Sequence, residues 1–112
     1  MEKELILQQE ASNDGMSLFL YYDEMAGLYV AYGLSAYYTT MVTEPYLSYT
    51  EELQMPVALL RREHILCLRQ SMKKVDHQVK RFYRFEMKRS VGRAGYEKWE
   101  KKIRSAHERI YR

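Results

Sequence analysis

Two apolar stripes between Leu68 and Arg112 restrict the folds open to this chain more than any other feature. In LRQSMKKVDHQVKRFYRFEMKRSVGRAGYEKWEKKIRSAHERIYR, Leu68, Met72, Val75, Val79 and Phe82 are spaced 4-3-4-3. Tyr96, Trp99, Ile103, Ala106 and Ile110 are spaced 3-4-3-4. Either spacing collects its residues on one side of an α-helix, and Gly92 and Gly95 offer a place for the chain to reverse. The pattern predicts a helical hairpin with basic outer faces.

Little between Val57 and Val91 breaks a helix, and Pro56 suits a first helical turn. Leu59, Leu60, Ile65 and Leu66 extend the apolar side toward the N-terminus. A helix over 57–91 would reach about 50 Å at 1.5 Å per residue. A domain of this size accommodates that only if the second half projects or the helix bends near Gln70–Lys74. Upstream the signals change. SLFLYY (17–22) and LYVAYG (28–33) read as strands of an antiparallel pair joined through DEMAG (23–27). Ser35 is placed to cap a short helix over 36–43, which Pro45 ends. YLSYT (46–50), with the residues up to Met55, reads as a third strand or an edge. Residues 1–14 fit a short strand or a helix, and SNDG (12–15) signals a turn.

The expected architecture is α+β: a small antiparallel sheet with a short helix, followed by a long helix and a C-terminal helix forming a hairpin. At 112 residues this is one domain with room for a single core. The hydrophobic fraction of 46% argues for a folded chain rather than a disordered one. No stretch approaches the roughly 20 apolar residues of a membrane helix. The first residues lack a signal-peptide pattern, and the lone Cys67 fits a reducing compartment. The cytoplasm is the expected location.

Charge divides the chain. Residues 1–55 hold one basic and nine acidic residues, whereas 56–112 hold 17 basic and six acidic ones. A positive pole of that size points to an anionic partner, most often nucleic acid. The alternatives are attraction between the two halves, or a solvated basic helix surface. The residues placed to grip phosphates are Lys73, Lys74, Lys80, Arg81, Arg84, Lys88, Arg89, Arg93, Lys101 and Lys102, with Lys98, Arg104, Arg109 and Arg112 nearby in sequence.

The order of elements also carries a resemblance. LFLYY, GLYVAYGLSAYYTTMV and MPVALLRREHILCL, within 17–68, resemble the mismatch-reading N-terminal domain of the DNA-repair ATPase MutS. There a strand and a glycine precede an aromatic-rich strand, an alanine-bearing helix and a proline-containing segment leading into a helix. The resemblance implies a mixed α/β scaffold of nucleic-acid origin. The base-stacking Phe and hydrogen-bonding Glu of that family fall on Leu28 and Val30, so mismatch reading is not implied here.

Other constellations point away from catalysis. His64 and Cys67 have a metal-compatible spacing, but two ligands do not make a site; a core cysteine beside a partly exposed histidine is the simpler reading. No third group orients a Cys–His pair, and no glycine loop cradles phosphate. Asp23–Glu24 and Glu51–Glu52 read as solvated turns or as protection of a sheet edge. No cofactor is implied. Tyr21, Tyr22, Tyr29, Tyr32, Tyr37, Tyr38, Tyr46 and Tyr49 cannot all face a core, because the pleat alternates their directions. Some must line a surface, and in this acidic half that surface suits protein contact better than base stacking. The reading is a non-enzymatic nucleic-acid-binding or accessory protein contacting backbone phosphates through its basic helices, with an interaction module that forms a homodimer through a tyrosine-rich sheet face or a helical stripe as the alternative. Within the hairpin, Trp99 is expected against Val75, Val79 or Phe82.

Overall fold

The computed structural model of the chain describes residues 3–13, 15–78, 82–87 and 93–111, with the backbone alone at 75–78 and 111. Its architecture is α+β, with a six-stranded, wholly antiparallel sheet in the order β3-β4-β2-β1-β6-β5. Helix α1 (Lys3–Ala11) leads into the hairpin β1 (Ser17–Asp23) and β2 (Leu28–Tyr32), and α2 (Gly33–Thr40) follows directly. A second hairpin, β3 (Tyr46–Thr50) and β4 (Met55–Leu60), precedes α3 (Arg62–Ser71). A third, β5 (Lys73–Gln78) and β6 (Phe82–Glu86), precedes α4 (Arg93–Tyr111).

The expected long helix and helical hairpin are therefore overturned, and the sheet is larger than the small one expected. Strand β4 opens where the long helix was to begin, and β5 and β6 replace its second half. A 50 Å helix would also exceed the longest dimension of the fold, 39 Å. MPVALL is a continuous apolar run because β4 lies between β2 and β3, with Pro56, Val57, Ala58 and Leu60 all buried. Such a run suits a buried strand as well as a helix. Pro56 sits where β4 pairs with Tyr49 of β3 but has not yet reached β2, whose partners begin at Val57. Its missing N–H therefore costs the ladder little.

In β6 the deciding pattern has a period of two. Tyr83 and Phe85 are buried while Phe82, Arg84 and Glu86 are half-buried. Register places Tyr83 opposite Leu20 and Phe85 opposite Leu18. That sheet face meets Leu34, Ala36 and Tyr38 of α2 and Ile65, Leu68 and Met72 of α3 in one core, which also holds Ala31, Ala58 and Leu60. Tyr22, Tyr29, Tyr83 and Phe85 form a continuous ring series on it, with successive centroids 5.1, 5.1 and 5.7 Å apart. The opposite face carries Phe19, Tyr21, Val30, Tyr32 and Phe82 by alternation. The Tyr21 hydroxyl there bonds Gln9 of α1.

The turn chemistry follows the sequence. In DEMAG, Asp23 Oδ1 accepts from the Met25 and Ala26 amides, and Gly27 takes φ +66°. Gly33 takes φ +56° where β2 turns into α2. Ser35 is not the cap expected of it: it lies inside α2, buried, with Oγ accepting the Phe19 amide at 3.0 Å. The β1–β2 pairing ends at Tyr21 and Val30, so that hydroxyl serves a β1 amide beyond the last paired residues.

A candidate nucleic-acid interface on α4

The sequence of α4 separates into three faces. Tyr96, Trp99, Ile103, Ala106 and His107 recur at helical spacing and are half-buried, where α4 packs on α2, β3 and β4. Lys98, Lys101, Lys102, Ser105 and Arg109 stand at i, i+3, i+4, i+7 and i+11, which puts them on one opposite stripe. All five are exposed, and no acidic residue interrupts them. The stripe is about 16 Å long at 1.5 Å per residue. On one flank, Glu97, Glu100, Arg104 and Glu108 form a mixed row, with Glu100 and Arg104 3.6 Å apart.

Helix α4 is anchored from its first residue to His107. At its start, Arg93 Nη2 donates to the Asn13 carbonyl at 3.1 Å. Tyr96 and Trp99 lie 6.0 and 5.3 Å from the Tyr37 ring. Trp99 therefore packs on α2, where the expected hairpin would have set it against Val75, Val79 or Phe82; Val79 and the Val75 side chain lie outside the described residues. Near the other end, His107 Nε2 lies 3.1 Å from Glu51 Oε1, and its ring lies 5.1 Å from that of Tyr49. These residues border an open groove of about 650 Å³ with Ser48, Thr50, Glu52, Val57 and Leu59. Ile110, the last member of the apolar stripe, is 73% exposed, so docking ends before the final turn.

A buried polar node sits beneath the first turns of α4. Glu10 is 5% exposed and accepts from the Ser35 amide at 3.0 Å and the Ser35 hydroxyl at 2.7 Å. Burial pushes its carboxyl up from 4.5 to about 7, against the lowering effects of Ser35, Asn13 and the Arg93 charge. Burial, with Glu100 and Glu10 nearby, pushes the Tyr96 hydroxyl up to about 12. A Cβ on Gly33 would lie 3.5 Å from the Tyr96 hydroxyl and 3.7 Å from Glu10 Oε1, so backbone without a side chain fills the space between them. The sequence offered one signal for this node: Ile6 and Glu10 share a side of α1 four residues apart, and both are buried.

The cations selected from the sequence are scattered. Lys101 and Lys102 lie on the α4 stripe, where Lys98 and Arg109 join them. Lys73 and Lys74 are exposed on β5, the edge opposite β3, and Arg84 is half-buried on β6. Five strand spacings of about 4.8 Å separate β3 from β5, so the β5 lysines and the α4 stripe do not form one patch. The buried Arg84 Nε has no hydrogen-bond partner among the described residues. Arg93 is occupied at the start of α4. Lys80, Arg81, Lys88 and Arg89 lie outside the described residues.

The remaining constellations have structural uses. His64 Nδ1 accepts the Arg61 amide at 2.9 Å at the start of α3, and Cys67 is half-buried. Glu52 pairs with Lys3, and Glu51 with His107. Among the described residues no group of three or more His, Cys, Asp or Glu side chains could hold a metal ion, and no helix is long and apolar enough to cross a membrane. No family model, curated protein or solved structure matches the chain.

Proposed function

We propose that this is a non-enzymatic nucleic-acid-binding protein that contacts backbone phosphates through α4. The observation carrying this reading is the exposed stripe of Lys98, Lys101, Lys102 and Arg109, unbroken by acid, on a helix anchored from Arg93 to His107. Fixing the helix aligns four cations before any ligand arrives, which reduces the ordering cost of binding. A polyanion gains from such an array by releasing condensed counterions.

The test is electrophoretic mobility of labelled nucleic acid at low salt, where the electrostatic contribution is greatest. Wild type should shift the label. Lys98→Gln/Lys101→Gln/Lys102→Gln should lose most of that binding while keeping its far-ultraviolet circular dichroism. Failure of the wild type to bind either duplex or single strand at low salt would remove the reading.

Exposure of Tyr46 and Leu47 on the edge strand β3 favours a second reading, a homodimer formed by edge pairing. Charge opposes its symmetric form. Antiparallel pairing of β3 with its copy about Ser48 would set Glu44 against Glu52 of the second chain, a like-charge contact. Light scattering decides this: a monomer at high concentration leaves only the nucleic-acid reading.

A further inference from the structure

The α4 stripe also limits how nucleic acid can approach, and this inference rests on the reading just given. We propose that α4 lies along one sugar–phosphate backbone of a duplex, from outside the grooves, and holds it without regard to base sequence.

Three observations carry this. A recognition helix in the major groove has a phosphate row on either side and presents groups that read base edges. Here one flank of the stripe carries Glu97, Glu100 and Glu108, with Arg104 as the single cation among them. A second phosphate row on that side would meet carboxylates. The other flank turns into the packed face of Trp99 and Ala106 against α2 and the sheet, so no second row fits there either. The cationic strip is therefore wide enough for one backbone.

The stripe itself offers Lys98, Lys101, Lys102, Ser105 and Arg109, with no Asn or Gln for bidentate reading of adenine. Its three lysines act on phosphate as point charges, and Arg109, the one fork-shaped group there suited to reading guanine, stands seven residues beyond Lys102, so the stripe suits positioning rather than base selection.

Stacking chemistry separates duplex from single strand. Single-strand binders set aromatic rings beside their cations so that unstacked bases have a platform. On α4 the described aromatic side chains, Tyr96 and Trp99, face α2. No described aromatic side chain stands on the stripe. A duplex, whose bases remain stacked on each other, needs no such platform.

Fluorescence anisotropy with two unrelated 20-base-pair DNA duplexes and one unstructured single strand, over a salt series, tests this. Four contacts at about −0.9 each predict a log–log slope near −3.6 for duplex. The two duplexes should agree within about twofold, and the single strand should bind more weakly. Lys101→Gln/Lys102→Gln should flatten the duplex slope by about two. Glu97→Gln/Glu108→Gln, which removes the carboxylate flank, should admit a second phosphate row and steepen it.

A tenfold preference between duplexes, a wild-type slope steeper than about −6, tighter binding to the single strand, or an unchanged slope in both variants would each overturn this inference while nucleic-acid binding stood. Absence of binding to all three probes would overturn both.

Discussion

Replacing Glu10 by glutamine should alter how stability depends on pH far more than it alters stability at any one mildly acidic pH. The carboxyl is 5% exposed and accepts from the Ser35 amide and hydroxyl. The other charged or titratable groups facing it are Arg93 of α4, which acts on it less than Ser35 does, and the hydroxyls of Tyr21 and Tyr96. Burial raises its folded-state value to about 7 from 4.5. A raised value means that the folded protein holds the proton more tightly than the unfolded chain. The associated stability is thus fully present below about pH 4.5 and is lost as pH rises through 7. At 1.36 kcal/mol per pH unit, the shift corresponds to about 3 kcal/mol. The substituted glutamine cannot ionise, and it retains one acceptor for the Ser35 amide. Its exchange of the second oxygen for an amino group should add an offset of about 1 kcal/mol that does not vary with pH. Urea unfolding followed by fluorescence of Trp99, the single tryptophan, can be run from pH 4.5 to 8.5 on both proteins. Subtraction cancels the other carboxylates. The difference should grow by about 3 kcal/mol in favour of Glu10→Gln across this range. Parallel curves would show that Glu10 ionises without a burial penalty, and the buried node between α1, α2 and α4 would have to be abandoned.

Trp99 is half-buried, so Trp99→Ala should cost about 2 kcal/mol, below the 3–5 of a fully buried aromatic. A double-mutant cycle with Tyr37→Leu, read by circular dichroism in urea, should give a coupling of about 1 kcal/mol; additive effects would refute the α2–α4 contact. Gly33→Ala should destabilise by about 1–2 kcal/mol, because φ is positive there and the new methyl would meet Met55 Sδ at 3.3 Å. An unchanged urea midpoint would count against that backbone conformation.

Local chemistry determined the parts of this fold that local rules govern. SLFLYY, DEMAG and LYVAYG contain the first hairpin complete, because Asp23 and Gly27 fix the turn and the flanking residues suit a pleat. The inward face of α4 was equally legible from Tyr96, Trp99, Ile103 and Ala106. The charge stripe on its outer face follows from the same 3.6-residue period. Strands β4, β5 and β6 were decided by tertiary structure, whereas α3 falls within the stretch whose sequence reads as helix. MPVALL has no periodicity to distinguish strand from helix, and only its position between β2 and β3 makes it a strand. In RFYRFEM, a four-three spacing through Phe82 competes with the two-residue alternation of Tyr83 and Phe85. Pairing with Leu20 and Leu18 on β1 settles it, more than sixty residues earlier in the chain. Glu10 shows the same dependence. Its carboxyl is an ordinary helix residue in sequence, and becomes a buried acceptor only because Ser35, 25 residues on, is folded against it. Long-range pairing is invisible to a local pattern, since strand partners are chosen by which faces can be buried together rather than by neighbours in sequence.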